Sequence, residues 1–137
     1  MENLIFDRTQ LDLFNDTEKG NYNYTDLNRV EEWCEYVANR LNEYNYFVDI
    51  VVKTDWTMLD FPTNADMERI RNNVENMKKA YYSFKKVPDT LNKMDINKAN
   101  AIEKILSEID ILLDKMIAEF RKCGTFNSGG MEGLIWV

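Results

Sequence analysis

The segment spanning residues 97–123 carries the longest regular apolar pattern in this sequence. Its apolar residues follow one another at alternating steps of three and four, which places them on one face of an α-helix. They are Ala99, Ile102, Leu106, Ile109, Leu113, Met116 and Phe120, with Ile105, Leu112 and Ile117 widening the stripe. Because a helix with such a stripe is not stable alone in water, the pattern predicts that it packs against partners with matching stripes.

Two other segments carry the same spacing. The first stripe consists of Leu27, Val30, Cys34, Val37, Leu41 and Tyr44. The second consists of Met67, Ile70, Val74, Met77, Tyr81 and Phe84. Three matching stripes predict a mainly α fold, an antiparallel up-down-up three-helix bundle with shallow helix crossings. A length of 137 residues fits one domain over residues 1–137.

Capping signals place the ends of the three helices at about residues 25–44, 64–86 and 96–123. Thr25 is the predicted cap of the first helix, and Thr63 or Asn64 the cap of the second. Val87-Pro88 ends the second helix, Asp95 or Asn97 begins the third, and Gly124 stops it.

A small two- or three-stranded β element is predicted beside the helices. Residues 47–52 are β-branched and aromatic, which favours a short strand, and a strand needs an edge to pair with. Residues 4–6 and the apolar residues 134–137 are the candidates, the latter in the same chain or in a neighbour by strand exchange. Residues 2–24 are consistent with packing on the body, with mobility, or with docking on a neighbouring subunit.

Composition and charge limit the classes of partner. The formal charge is −7, with the acidic excess in the first 60 residues, so binding to nucleic acid is not expected. The basic segment 78–86 is interpreted as the lysine-rich end of a helix. Apolar runs fall far short of the ~20 residues of a membrane helix, and the start lacks a signal-peptide pattern. We expect a cytoplasmic or virion location and no membrane partner.

No residue pattern predicts a chemical site. The chain has no histidine, which excludes Ser–His and Cys–His nucleophiles, and no phosphate-binding glycine motif or metal-ligand spacing is present. We therefore predict no catalytic, cofactor-binding or metal-binding residues, and we expect that the chain is not an enzyme. Glu31, Glu32 and Glu35 are interpreted as a solvated acidic face. Cys34 and Cys123 are predicted to be buried thiols.

Four aromatic residues form the candidate interaction surface. Trp33 and Tyr36 lie beside the first stripe, where they either flank the core or form a contact surface. Trp56 is interpreted as a packing anchor, with a recognition role as the alternative, and Trp136 belongs to the apolar segment 134–137.

Several segments resemble a family of small proteins encoded among the tail and baseplate genes of phages and prophages of Gram-positive bacteria. They are YNYTDLNRVEEWCEYVANRLN (22–42), KTDWTMLDFPTNADMERIRNNV (53–74), KANAIEKILSEIDILLDKM (98–116) and FDRTQ (6–10). YNYTDLNRVE and KTDW are the most specific pieces, because packing of a helical bundle does not require them. The resemblance implies a non-enzymatic virion component or assembly factor, without catalytic residues to transfer.

The resemblance and the residue patterns lead to one main hypothesis. It is a structural or assembly protein of a phage tail or baseplate, which acts through contacts with other phage structural proteins and as a homo-oligomer. The alternative is a cytoplasmic, phage-encoded binding module or regulator that masks a basic surface of a host or phage protein. A third hypothesis is an acidic mimic that blocks a nucleic-acid-binding protein.

Overall fold

The computed structural model describes residues 2–81 and 86–122 of the chain. Within these residues the chain forms the short helix α1 (Gln10–Phe14), a 3₁₀ turn (Glu18–Gly20) and three long helices, α2 (Tyr24–Glu43), α3 (Asn64–Ala80) and α4 (Ile96–Lys122). The protein is mainly α-helical, as predicted. In the described ranges no helix is both long and apolar enough to cross a membrane.

Capping boxes begin α2 and α3. Asn23 caps α2, where its side chain accepts from the amide of Thr25 and Asp26 bonds back to the cap. The predicted cap at Thr25 is therefore two residues late, because an asparagine carboxamide serves the first-turn amides equally well. Thr63 and Asp66 form the same arrangement at the start of α3, which confirms the predicted cap there.

The other predicted helix ends are partly correct. The helix α3 ends at Ala80, before the predicted residue 86, because Tyr81 adopts an extended backbone conformation. The helix α4 begins at Ile96, and the side chain of Asp95 accepts from the amide of Lys98 at 2.8 Å, as predicted for a cap. Residue Gly124, the predicted stop, lies outside the described residues.

The helices α2 and α4 run in the same direction. Near the start of α2, Arg29 Nε donates to Glu103 Oε1 at 2.7 Å. Near its end, Arg40 Nη2 donates to Asp114 Oδ1 at 2.8 Å. The residue numbers of the partners increase in the same order on α2 and α4, which only a parallel pair of helices allows.

The helix α3 is parallel to both of them. Arg69, early in α3, pairs with Glu31, early in α2. Tyr81, just past α3, packs edge-to-face on Tyr46, just past α2, with ring centroids 4.8 Å apart. The hydroxyl of Tyr81 also donates to the carbonyl of Leu112, far along α4, at 3.4 Å. The predicted antiparallel up-down-up arrangement is therefore wrong.

Long return connections make the parallel arrangement feasible. Residues 44–63 span at most ~66–72 Å when extended, whereas the 20-residue α2 is ~30 Å long. Residues 81–95 likewise exceed the length of α3, and this connection contributes buried Val87 and Leu91 to the core. An apolar stripe has the same spacing in either direction, so the stripes alone do not define helix direction.

The predicted stripes form the core. Most of their described residues are buried, and five are half-buried: Tyr44, Tyr81, Leu112, Met116 and Phe120. Cys34 is buried as a free thiol, as predicted. Burial, with the nearby charge of Glu31, raises the pKa of this thiol well above its ordinary value. Cys123 lies outside the described residues.

Residues 47–52 do not form the predicted strand, and asparagine side chains bond the backbone of this segment instead. Asn42 Oδ1 accepts from Val48 N at 2.9 Å, and its Nδ2 donates to Val48 O at 3.2 Å. Asn28 bonds Trp56 in the same way, at 2.8 and 2.9 Å. The described residues contain no β-strand, because helix side chains rather than a neighbouring strand satisfy this backbone.

Two further asparagines act in the same way. Asn73 bonds both backbone groups of Val51, and Asn100 bonds both backbone groups of Arg8, at 2.9 and 3.1 Å. We call Asn28, Asn42, Asn73 and Asn100 the asparagine clamps. The Arg8 clamp helps to dock the N-terminal arm on α4, so residues 4–6 form no strand. The predicted strand at 134–137 lies outside the described residues.

Candidate functional site

Four ionised side chains form a buried cluster between the N-terminal arm, α2 and α4. Glu103 lies at its centre, with Arg8 at 2.7 Å and Arg29 at 2.7 Å. Asp26 bonds Arg29 at 2.6 Å and lies 3.4 Å from Arg8. We call these residues the ionic cluster. Two guanidinium groups balance two carboxylates, so the cluster has no net charge.

Glu103 and Arg8 use all of their side-chain hydrogen-bonding groups. Glu103 accepts four hydrogen bonds: from the amide of Ile5, from Arg8 Nη2, and from Nε and Nη2 of Arg29. The five N–H groups of Arg8 find acceptors in Glu103, Asp26, Asn100 and the carbonyls of Ile5 and Lys19. Arg8 and Glu103 are therefore saturated, and Nη1 of Arg29 lies 3.7 Å from a carboxylate oxygen of the exposed Glu2.

The pKa values of Arg29 and Tyr22 reflect the charges of the cluster. Burial disfavours the charge of Arg29, but hydrogen bonds and attraction from Glu103 and Asp26 outweigh it and raise the pKa of Arg29 above its ordinary value. Burial, together with the negative charges of Glu103 and Asp26, raises the pKa of Tyr22. Both shifts move the pKa values of Arg29 and Tyr22 further from neutrality.

A third buried carboxylate, that of Glu31, links α2, α3 and the connection between them. Glu31 accepts from Lys53 N at 3.0 Å, from the indole N–H of Trp56, and from both terminal nitrogens of Arg69. Glu31 is fully buried, so its assignment to a solvated acidic face is wrong. The indole, Arg69 and the returning backbone cover it, whereas Glu35 is exposed as predicted.

The hydrogen bonds around Glu103 and Glu31 indicate that these two buried carboxylates hold separate parts of the chain together. In the residues that the structure describes, no group of three His, Cys, Asp or Glu side chains is placed to hold a metal ion. The ionic cluster and the Glu31 site lie within FDRTQ, YNYTDLNRVE and KTDW, plus Glu103 and Arg69. The segments that bundle packing does not require therefore supply most of the buried polar contacts.

An open cleft of about 830 Å³ lies where the three parallel helices begin. Residues of α1, of the segments 20–24 and 57–62, and of the starts of α3 and α4 line it. The apolar lining residues are Leu13, Tyr22, Tyr24, Leu27, Met58, Phe61, Pro62, Met67, Met94, Ile96 and Ala99. We call this feature the N-terminal cleft. Its volume is typical of pockets that bind small molecules or clusters of side chains.

The rim of the N-terminal cleft exposes large apolar side chains. Leu13 is 48% exposed, Met58 76% and Phe61 86%. Leu11 and Phe14 on α1 and Leu59 beside Met58 are also exposed. Single exposed apolar residues are common, but a group of them around a concave apolar surface is typical of a binding site for another molecule.

Gly20 allows α1 to lie at the edge of the cleft. A Cβ atom at this position would be 2.6 Å from the carbonyl carbon and oxygen of Asp12, closer than any side chain tolerates. The 3₁₀ turn therefore packs directly on the α1 backbone, which holds Leu13 at the rim.

Of the four predicted surface residues, the structure describes three and places Trp56 apart from Trp33 and Tyr36. Trp33 and Tyr36 lie together on the outer side of α2 with ring centroids 5.3 Å apart, and Trp33 donates to the carbonyl of Glu2 at 2.7 Å. Tyr36 is exposed, so this pair is available for contacts. Trp56 is 4% exposed and bonds Glu31, which matches the packing role and removes its side chain from the surface. Trp136 lies outside the described residues.

Sequence patterns did not indicate the N-terminal cleft or the ionic cluster. The signal for the cleft was present in two short apolar groups outside the stripes, one in residues 11–14 and one in residues 58–61. The signal for the cluster was Glu103, which follows Ile102 at the edge of an apolar stripe.

Comparisons of this chain with protein families, with curated proteins and with solved structures found no match.

Proposed function

We propose that this chain is a non-enzymatic structural or assembly protein of a phage or prophage tail or baseplate, which acts through protein–protein contacts at the N-terminal cleft. The observation that carries the proposal is the apolar rim of this cleft, where Leu13, Met58 and Phe61 are exposed. The resemblance to phage tail and baseplate proteins in residues 22–42, 53–74 and 98–116 supplies the setting.

The chemistry of the cleft favours a protein partner over a substrate. Its floor and rim are mainly aliphatic, aromatic and methionine side chains, which favour contact with apolar side chains. Arg8 is the only cation among the described residues that line it, and all five of its N–H groups are occupied. The cleft therefore provides apolar contact area without a free cation that would bind or activate a substrate.

A second candidate function is a phage-encoded binding module that masks a basic surface of a host or phage protein. The supporting observation is the acidic excess of the first 60 residues, part of which is exposed at Glu35, Glu43, Asp49 and Asp55. Charge of one sign attracts partners of the opposite sign and accelerates their association.

Mass spectrometry of purified phage particles separates the two functions. We expect the wild-type chain in particles at a fixed ratio to other tail proteins, and Phe61→Ser to reduce its incorporation strongly. Phe47→Ser is the matched control, because Phe47 is 77% exposed and lies outside the cleft lining.

Absence of the wild-type chain from particles would overturn the structural role and favour the binding module. Equal incorporation of Phe61→Ser and Phe47→Ser would remove the N-terminal cleft from the proposal.

A further inference from the structure

We propose that the N-terminal cleft receives residues 134–137, Leu-Ile-Trp-Val, from a second copy of this chain. We call these residues the LIWV segment. The inference rests on the proposed function, since it assumes that the cleft makes protein contacts, and it deepens that function by naming the occupant.

The parallel arrangement of the helices separates the cleft from the end of α4. Asp95, Ile96 and Ala99, at the start of α4, line the cleft. The helix then continues for 27 residues to Lys122, which places its end ~40 Å from its start. The chain that leads to the LIWV segment therefore starts from the end of the molecule opposite the cleft.

The length of this connection disfavours docking within one chain. About twelve Cα–Cα steps separate Lys122 from Leu134, and they reach at most ~40–43 Å when fully extended. Random-coil chains of this length average about 17–21 Å from end to end, half of the required distance. A second copy whose cleft lies beside the end of α4 requires no such extension.

The LIWV segment matches the cleft chemically. It offers three aliphatic side chains and one indole, and the lining offers aromatic, aliphatic and methionine surfaces. An indole needs a hydrogen-bond acceptor when it is buried, and Asn21 and Asp60 provide oxygens among the lining residues. Glu132, the nearest charged residue before the segment, is separated from it by Gly133 and remains in the connection to the other copy.

Two assemblies follow from this contact. Two copies side by side in opposite directions would exchange their LIWV segments and form a closed pair. Copies arranged end to end would each fill the next cleft and form an open chain. In both assemblies the contact joins the LIWV segment of one copy to the N-terminal cleft of another. A substitution in the segment and a substitution in the cleft therefore affect opposite partners of the same contact.

Analytical ultracentrifugation of the full-length protein over a concentration series tests the proposal. The wild-type chain should self-associate, and the association constant should fall at least tenfold in Trp136→Ser and in Phe61→Ser. Phe47→Ser should associate like the wild type, because Phe47 is similarly exposed but lies outside the cleft lining. Far-UV circular dichroism confirms that each variant is folded, and a chain that ends at residue 124 serves as a second variant without the segment.

Mixing the two defective variants gives the sharper result. Trp136→Ser retains its cleft and Phe61→Ser retains its segment, so an equimolar mixture should form a heterodimer that neither variant forms alone. A monomeric wild type, undiminished association of Trp136→Ser, or no heterodimer in the mixture would overturn the inference. Such results leave the proposed function intact if the chain is still found in phage particles, so the two failures are distinguishable.

Discussion

Replacing Glu103 by glutamine tests whether the ionic cluster stabilises the fold. The substitution preserves shape but leaves Arg8 and Arg29 with Asp26 as their only described buried carboxylate partner. Glutamine has one carbonyl oxygen and one NH₂ group where glutamate has two oxygens. The NH₂ group cannot accept from the surrounding N–H groups, so some of the four hydrogen bonds that Glu103 accepts are lost.

The expected magnitude follows from the burial of the carboxylate. Removing one partner of a buried ion pair costs about 3–5 kcal/mol, because the remaining charge stays desolvated. The unfolding entropy of a chain of 137 residues is roughly 290 cal/mol/K, so this loss lowers the melting temperature by about 10–17 °C. The free energy of unfolding of such a domain is only about 5–15 kcal/mol, so the substitution removes between about one fifth and all of it.

Urea unfolding followed by circular dichroism measures the effect. Glu35→Gln is the matched control: Glu35 is exposed on α2, and its replacement should change the free energy of unfolding by less than about 0.5 kcal/mol. Hydrogen exchange at the amide of Ile5, which donates to Glu103, should accelerate in Glu103→Gln. Equal unfolding midpoints for the two variants would refute the assignment of Glu103 as a stabilising centre.

Three further predictions concern a clamp, a helix cap and the buried thiol. Asn28→Ala removes two hydrogen bonds to Trp56 and should lower the free energy of unfolding by about 1–3 kcal/mol in urea titrations. Hydrogen bonds from Thr63 lower the pKa of Asp66 below 3.8 in the folded protein. As the pH falls, the unfolded chain therefore takes up a proton at Asp66 before the folded chain does, and the free energy of unfolding decreases. The stability that wild type has over Asp66→Asn should thus be largest near neutral pH and shrink as pH falls below 3.8. Cys34 should react with a thiol reagent only at the rate of unfolding, because burial hides the thiol and raises its pKa.

Each of these predictions has a control or a contradicting result. Asn39→Ala, at an exposed position of α2, gains the same helix propensity without losing a clamp, so it should be neutral or slightly stabilising. A stability difference between wild type and Asp66→Asn that stays constant down to pH 2 would contradict the role of the carboxylate in capping. Labelling of Cys34 in the native protein faster than unfolding would contradict its burial.

The apolar stripes were predictable because burial repeats with the period of the helix. Val30, Leu106 and Ile109 are fully buried, and each belongs to a stripe identified from spacing. The direction of the helices was not predictable in the same way, because a stripe has no polarity. Direction depends on where the connections run, and residues 44–63 follow α2 back to its start through side-chain bonds from Asn28 and Asn42.

The candidate site depends on contacts that no local pattern contains. Glu31 resembles its neighbour Glu32 in sequence, and only the returning Trp56 and Arg69 on α3 explain its burial. Asparagine within a helix is unfavourable, so Asn28 carried a weak signal of a special role. The N-terminal cleft forms only because three helix starts lie at one end, so the wrong prediction of direction also concealed the cleft.

The parallel order of the helices has a consequence for the time course of folding. In an antiparallel pair, residues on either side of a short turn meet as soon as both have been synthesised. Here Arg69 meets a partner 38 residues earlier, and Arg8 meets Glu103 across 95 residues. Bringing together such distant parts of a chain slows folding relative to ordinary helical bundles. During synthesis Arg8 therefore has no partner on α4 until Asn100 and Glu103, near the start of that helix, have followed it.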